Sequence, residues 1–188
     1  MTIPRVLKRA APLLLLAASL SASAHPQAGG AHSHGFWDGF VHPFTGLDHL
    51  LAMLAVGIWS VRQGGRNQLP LTFIAMMLFG VLTGVAGLQI PGLETGIALT
   101  VALLGCLIAA AVRLPSTAGM ALVGGFALLH GNAHGHELPQ ASSAFGLLAA
   151  SALLIVAGRM AARVSPALAV KLCGAAIAAT GVVLVATA

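Results

Sequence analysis

Long apolar runs separated by short polar breaks dominate this chain. Runs of about 20 residues at 39–61, 69–88, 91–112, 117–136, 144–162 and 166–187 are each long enough to cross a bilayer's roughly 30 Å hydrocarbon core as a helix. The breaks have local causes. Gly64-Gly65 with Asn67 and Pro70, then Pro91-Gly92, Pro115, Pro139 and Pro166, stand where a helix must stop or restart. The pattern predicts an all-α membrane protein whose six-helix transmembrane bundle occupies residues 39–188.

The first 24 residues differ from these runs. Arg5, Lys8 and Arg9 form a basic start, Ala11–Leu20 an apolar run too short to span comfortably, and Ala22-Ser23-Ala24 an A-x-A cleavage site, the three parts of a secretory signal peptide. Residues 1–24 are therefore set aside as a cleavable signal peptide. Residues 25–38 are rich in Gly, Ala and His and bury too little apolar surface to hold a fold, which predicts a periplasmic tail carrying His25, His32 and His34.

Composition sharpens this picture. Hydrophobic residues make up 58% of the 188 and charged residues 7%, against roughly 25% charged in a soluble domain. The net charge of +5 comes from scattered residues with no basic cluster, so a nucleic-acid partner is not expected and the lipid membrane is. With an exported N-terminus, the cytoplasmic loops hold Arg62, Arg66, Arg113, Arg159 and Arg163, and Lys171 is near enough to snorkel to the same side. Asp38, Glu94, Glu137 and all eight histidines fall on the other side or in the outer part of a helix. The expected location is a bacterial inner membrane, with the mature N-terminus and the C-terminus both periplasmic. Trp37 and Trp59 are expected at the two interfaces of the first segment. Gly80 and Gly84 form a G-x-x-x-G read as packing within the chain, which leaves the oligomeric state open, and Cys106 and Cys173 read as small apolar residues.

Ionisable groups inside membrane spans are costly and mark pathways or sites. The first group is His42, Asp48 and His49. On a continuous helix the two histidines share a face but lie roughly 10.5 Å apart, too far for one ion with bonds of about 2 Å. Either the helix is irregular at His42-Pro43, with Thr45 capping a fresh start, or the histidines are successive stops. Asp48 is expected roughly 9 Å below the start of its helix, orienting His49 or touching a metal. Met53, one turn beyond His49, is a weaker soft contact.

The second group lies at the outer end of the fourth segment. His130, His134 and Glu137 share one helical face at chelating spacing, and imidazoles with a carboxylate favour nickel, cobalt, zinc or copper over magnesium or calcium. His136 points away from that face and is a weaker candidate, as are the tail histidines.

The H-x5-D-H of His42, Asp48 and His49, with the H-G-x-A-H-G-x-E of His130, Gly131, Ala133, His134, Gly135 and Glu137, closely resembles the HupE/UreJ family of nickel permeases. The resemblance covers essentially the whole chain. Leu129 departs from it, since the family often has Phe there, and His136 fills a variable position. The resemblance implies uptake of Ni(2+), in some members Co(2+), for hydrogenase or urease maturation, with the ion as transported substrate and no cofactor. Tail histidines and the fourth segment would capture the ion and pass it to Asp48 and His49. The competing class is an intramembrane metal-dependent hydrolase using the same residues, but G-x-S-G and H-E-x-x-H are both missing, and a non-enzymatic role is expected. A third reading is a metal sensor or partner subunit that does not transport.

Overall fold

The structure, a computed structural model, describes residues 35–65 and 67–188; the expected signal peptide and His25, His32 and His34 lie outside the described residues. The described residues form seven α-helices and no strand: α1 (Phe36–Thr45), α2 (Leu47–Arg62), α3 (Gln68–Val85), α4 (Leu93–Ala109), α5 (Ser116–Glu137), α6 (Ala141–Val164) and α7 (Ala167–Thr187). Three of them, α3, α6 and α7, are long and apolar enough to cross a membrane. They mark an α-helical membrane protein. The first predicted segment is not one helix but two, α1 and α2, bent by 85° and of spanning length only as a pair. Among the rest, α4 is apolar but only 17 residues long, and α5 ends in the polar stretch His130 to Glu137.

The bend between α1 and α2 has a readable cause. Pro43 contributes no backbone N–H to the last turn of α1, and the Thr45 hydroxyl donates to the His42 carbonyl at 2.7 Å, the oxygen a continuing helix would have bonded. Gly46 then adopts an extended conformation (φ −90°, ψ 117°) and becomes the N-cap of α2. Thr45 therefore ends one helix and does not cap the next. Asp48, expected well inside a helix, is the second residue of α2 because the helix restarts at Leu47.

Other helix ends follow ordinary chemistry. At the end of α3, Gly87 takes a left-handed φ of +81°, and the N–H groups of Gly87 and Leu88 donate to the carbonyls of Gly84 and Thr83, a Schellman closure. The end of α4 makes the same closure through Ala111 at φ +53°, a conformation that costs an L-residue about 1–2 kcal/mol.

Small residues bring the backbones together. A Cβ added at Gly80 would lie 2.4 Å from the Leu128 carbonyl oxygen, and one at Gly84 2.3 Å from that of Asn132. Conversely, one at Gly131 would lie 2.1 Å from the Met77 carbonyl oxygen and one at Gly135 2.3 Å from that of Val81. The G-x-x-x-G of α3 is thus spent on α5, within the chain, as small-residue seams in membranes commonly are. Gly39 and Gly146 join α1 to α6, Gly57 and Gly158 join α2 to α6, and Gly105, Gly174 and Gly181 join α4 to α7 in the same way. Between the seams lies an apolar core that includes Met53, Trp59, Phe73, Met77 and Leu104, all fully buried. Trp59 is buried, and its indole N–H reaches the Val112 carbonyl at 3.1 Å, which satisfies the ring's one polar atom within the packed helices. Trp37, by contrast, is exposed. Cys106 and Cys173 are free thiols.

Candidate metal centre

The α1–α2 bend and the α3–α5 seam together build one cluster. The bend turns α2 back under α1, so His42 and His49 approach to 6.4 Å between ring centroids, far closer than a continuous helix allows. The seam fixes α5 with His130 and His134 on its inward face. The rings then form a chain: His42 to His134 at 4.9 Å, His134 to His49 at 4.2 Å and His49 to His130 at 5.1 Å between centroids. Glu137 joins at the His42 end, with His42 Nε2 2.8 Å from Glu137 Oε2 and His134 Nδ1 3.8 Å from the same oxygen.

Exposure grades along this chain. The side chains of Glu137 and His42 are 35% and 26% exposed, that of His49 is 10%, and His130 and His134 are fully buried. One end of the cluster faces outward and the other lies in the core.

Hydrogen bonds set the state of the deeper rings. His49 Nδ1 lies 2.8 Å from Asp48 Oδ1, and the His49 backbone N–H donates to the same oxygen at 2.8 Å. A carboxylate oxygen only accepts, so in the neutral ring the proton sits on Nδ1 and Nε2 keeps a bare lone pair. His130 repeats this with a backbone partner, since Nδ1–H donates to the Phe126 carbonyl at 2.9 Å. The Nε2 atoms of His49 and His130, and both ring nitrogens of His134, are buried without a hydrogen-bond partner. A buried polar group left without a partner costs about 1–3 kcal/mol. Several of them at one spot make a set of donors arranged for a cation, with Asp48 in the orienting position that carboxylates take behind metal-bound histidines.

Among the described residues, the outer end has a chelating geometry. His42, His134 and Glu137 each offer a ligand atom, and these atoms lie within 4.8 Å of one another. Two bonds of about 2.1 Å span at most roughly 4.2 Å, so a bound ion would draw the side chains in by about half an ångström.

The structure thus brings together His42, His49, His130, His134 and Glu137, with Asp48 behind His49. One weaker candidate, His136, has a partner elsewhere. His136 is exposed and its Nε2–H donates to the Leu88 carbonyl at 3.1 Å, because helical spacing turns it away from His134. Met53, one turn beyond His49 on α2, is fully buried. Asp38 caps α1 through the Gly35 N–H at 3.0 Å. Sequence reasoning gave Asn132 no role, yet its side-chain amide donates to Thr83 Oγ1 at 3.1 Å and to the Leu88 carbonyl at 3.0 Å, tying the loop after α3 to α5. The signal for it was an amide amid glycines on a buried seam.

Comparison with known proteins agrees with the motifs. The family model described as HupE / UreJ protein matches residues 13–184. A relative, Protein HupE of Rhizobium leguminosarum bv. viciae, is 44% identical over 150 residues, which cover 77% of this chain and 78% of that protein. No solved structure matches significantly. With two signature motifs folded into one cluster and a match along almost its full length, the chain belongs to the HupE/UreJ family.

Proposed function

We propose that this protein is a secondary permease or facilitator that takes up a divalent transition metal, nickel first and cobalt second, across the bacterial inner membrane. The observation that carries the reading is the run of imidazoles from three helices, in which Nε2 of His49 and His130 and both ring nitrogens of His134 are buried without a hydrogen-bond partner. Residues 1–24 are removed on export, and the His-rich residues 25–38 face the periplasm, the last three of them as the first turn of α1. The six apolar segments each cross the membrane, the first of them broken at Gly46, and both mature termini are periplasmic. The arginines gathered on the opposite side support this orientation.

The ion enters where exposure is greatest, at Glu137 and His42, and exchanges water for these groups and His134. His134 stands between both ends, within 4.9 Å of His42 and 4.2 Å of His49 by centroid, so it can release the ion from the outer set to His49 and His130 without leaving it unliganded. An interior-negative potential favours the inward move of a dication by about 4.6 kcal/mol per 100 mV. The metal supplied in this way would serve hydrogenase or urease maturation, as the family resemblance implies.

Reconstitution of the purified protein alone in liposomes, followed by radioactive nickel influx under an imposed potential, tests the proposal. His134→Ala and His130→Ala should each abolish influx, whereas His136→Ala should retain it. Influx unchanged in His134→Ala removes the proposed path. Nickel binding with no influx in the unmodified protein points to a sensor or subunit role.

A further inference from the structure

A second polar feature lies away from the histidines, in a groove of about 390 Å³ between α3 and α6. The helices part here because each is drawn to another neighbour, α3 to α5 through Gly80 and Gly84, and α6 to α1 and α2 through Gly146 and Gly158. At its inner end the seam closes where the Ser151 hydroxyl meets Met77 Sδ at 3.3 Å. The walls are apolar, formed by Leu71, Ile74, Val156 and Met160, and the far end carries Asn67, Arg159 and Arg163.

The two arginines are one helical turn apart on the same face of α6. Arg159 is largely buried and its guanidinium donates to the Gly65 carbonyl at 2.7 Å; Arg163 is exposed. Of the chain's four acids, Asp38, Asp48, Glu94 and Glu137, none lines the groove. The exposed Arg163 at the mouth of an apolar slot, with the buried charge of Arg159 one turn away on the same helix of spanning length, complements a molecule with an anionic head and a hydrocarbon tail.

We propose that this groove is a binding site for an anionic phospholipid of the cytoplasmic leaflet. The phosphodiester sits against Arg163 and Arg159, and one acyl chain follows the apolar walls toward Met77. Basic pockets between membrane helices bind acidic headgroups in this way. The site rests on the membrane-embedded reading and needs no metal, so it stands or falls separately from nickel transport.

Native mass spectrometry of the detergent-solubilised protein, titrated separately with phosphatidylglycerol and phosphatidylcholine of equal chain length, is the test. Phosphatidylglycerol should bind more tightly on the order of tenfold, and Arg163→Gln should weaken it about fivefold while leaving phosphatidylcholine unchanged. Ala152→Trp, which fills the exposed wall of the groove without touching its charge, should weaken both lipids. Excess inorganic phosphate should not displace bound phosphatidylglycerol. Equal affinity for the two lipids, a preference that survives Arg163→Gln, or full displacement by phosphate overturns the proposal.

Discussion

Asp48 offers the sharpest probe of the cluster, because the structure gives it a job distinct from ligation. Its Oδ1 holds both the ring Nδ1 and the backbone N–H of His49, each at 2.8 Å, and so fixes the tautomer and the aim of Nε2. Removing a carboxylate behind a metal-bound histidine costs roughly 10- to 100-fold in affinity, about 1.4–2.8 kcal/mol. Asp48→Ala should fall in that range for nickel. Asp48→Asn keeps a carbonyl acceptor at the same place, but a neutral acceptor gives a hydrogen bond of about half the strength, so its loss should be only about 3- to 10-fold. Isothermal titration of nickel into the detergent-solubilised proteins measures both. Asp48 also stands in the first turn of α2, where a negative charge is worth roughly 0.3–1 kcal/mol against the helix dipole, so metal-free thermal unfolding must be followed alongside. Affinity within twofold of the unmodified protein for Asp48→Ala would refute the orienting role. A loss in Asp48→Asn equal to that in Asp48→Ala would refute it differently, by showing that the charge itself binds the ion.

Four further outcomes follow from the structure. Only neutral imidazole binds metal, so acidification should weaken nickel binding, and affinity that is flat or rises as pH falls would contradict a histidine path. Gly131→Ala sets a Cβ 2.1 Å from the Met77 backbone oxygen, so it should destabilise by roughly 1–3 kcal/mol and weaken nickel binding by shifting α5. Gly125→Ala on the same helix meets nothing within 4 Å and should stabilise by roughly 0.5–1 kcal/mol, both read by thermal unfolding. Ala111→Gly relieves a left-handed alanine at φ +53° and should raise stability by about 0.5–1 kcal/mol in the same assay.

Much of this protein is legible in one dimension. Apolar runs of spanning length and the Gly and Pro breaks between them placed the helices within a few residues, because a bilayer demands internally bonded backbone and leaves helices as the simplest answer. The same scarcity of polar residues made His42, Asp48, His49, His130, His134 and Glu137 conspicuous, since each is costly where it stands. Helical spacing also turns His136 away from His134, toward the Leu88 carbonyl.

Spacing along a chain could not decide how those residues meet. His42 and His49 were either too far apart or joined by an irregular helix, and the choice fell to Gly46, whose extended backbone turns α2 by 85°. Trp59 reads as an interfacial ring from its position, yet helix packing buries it and supplies the Val112 carbonyl that its N–H needs. The convergence of α1, α2 and α5 depends on where glycines let backbones touch, and that is a property of paired surfaces. A sequence names which residues are small or polar, but only the packed helices determine which of them face one another.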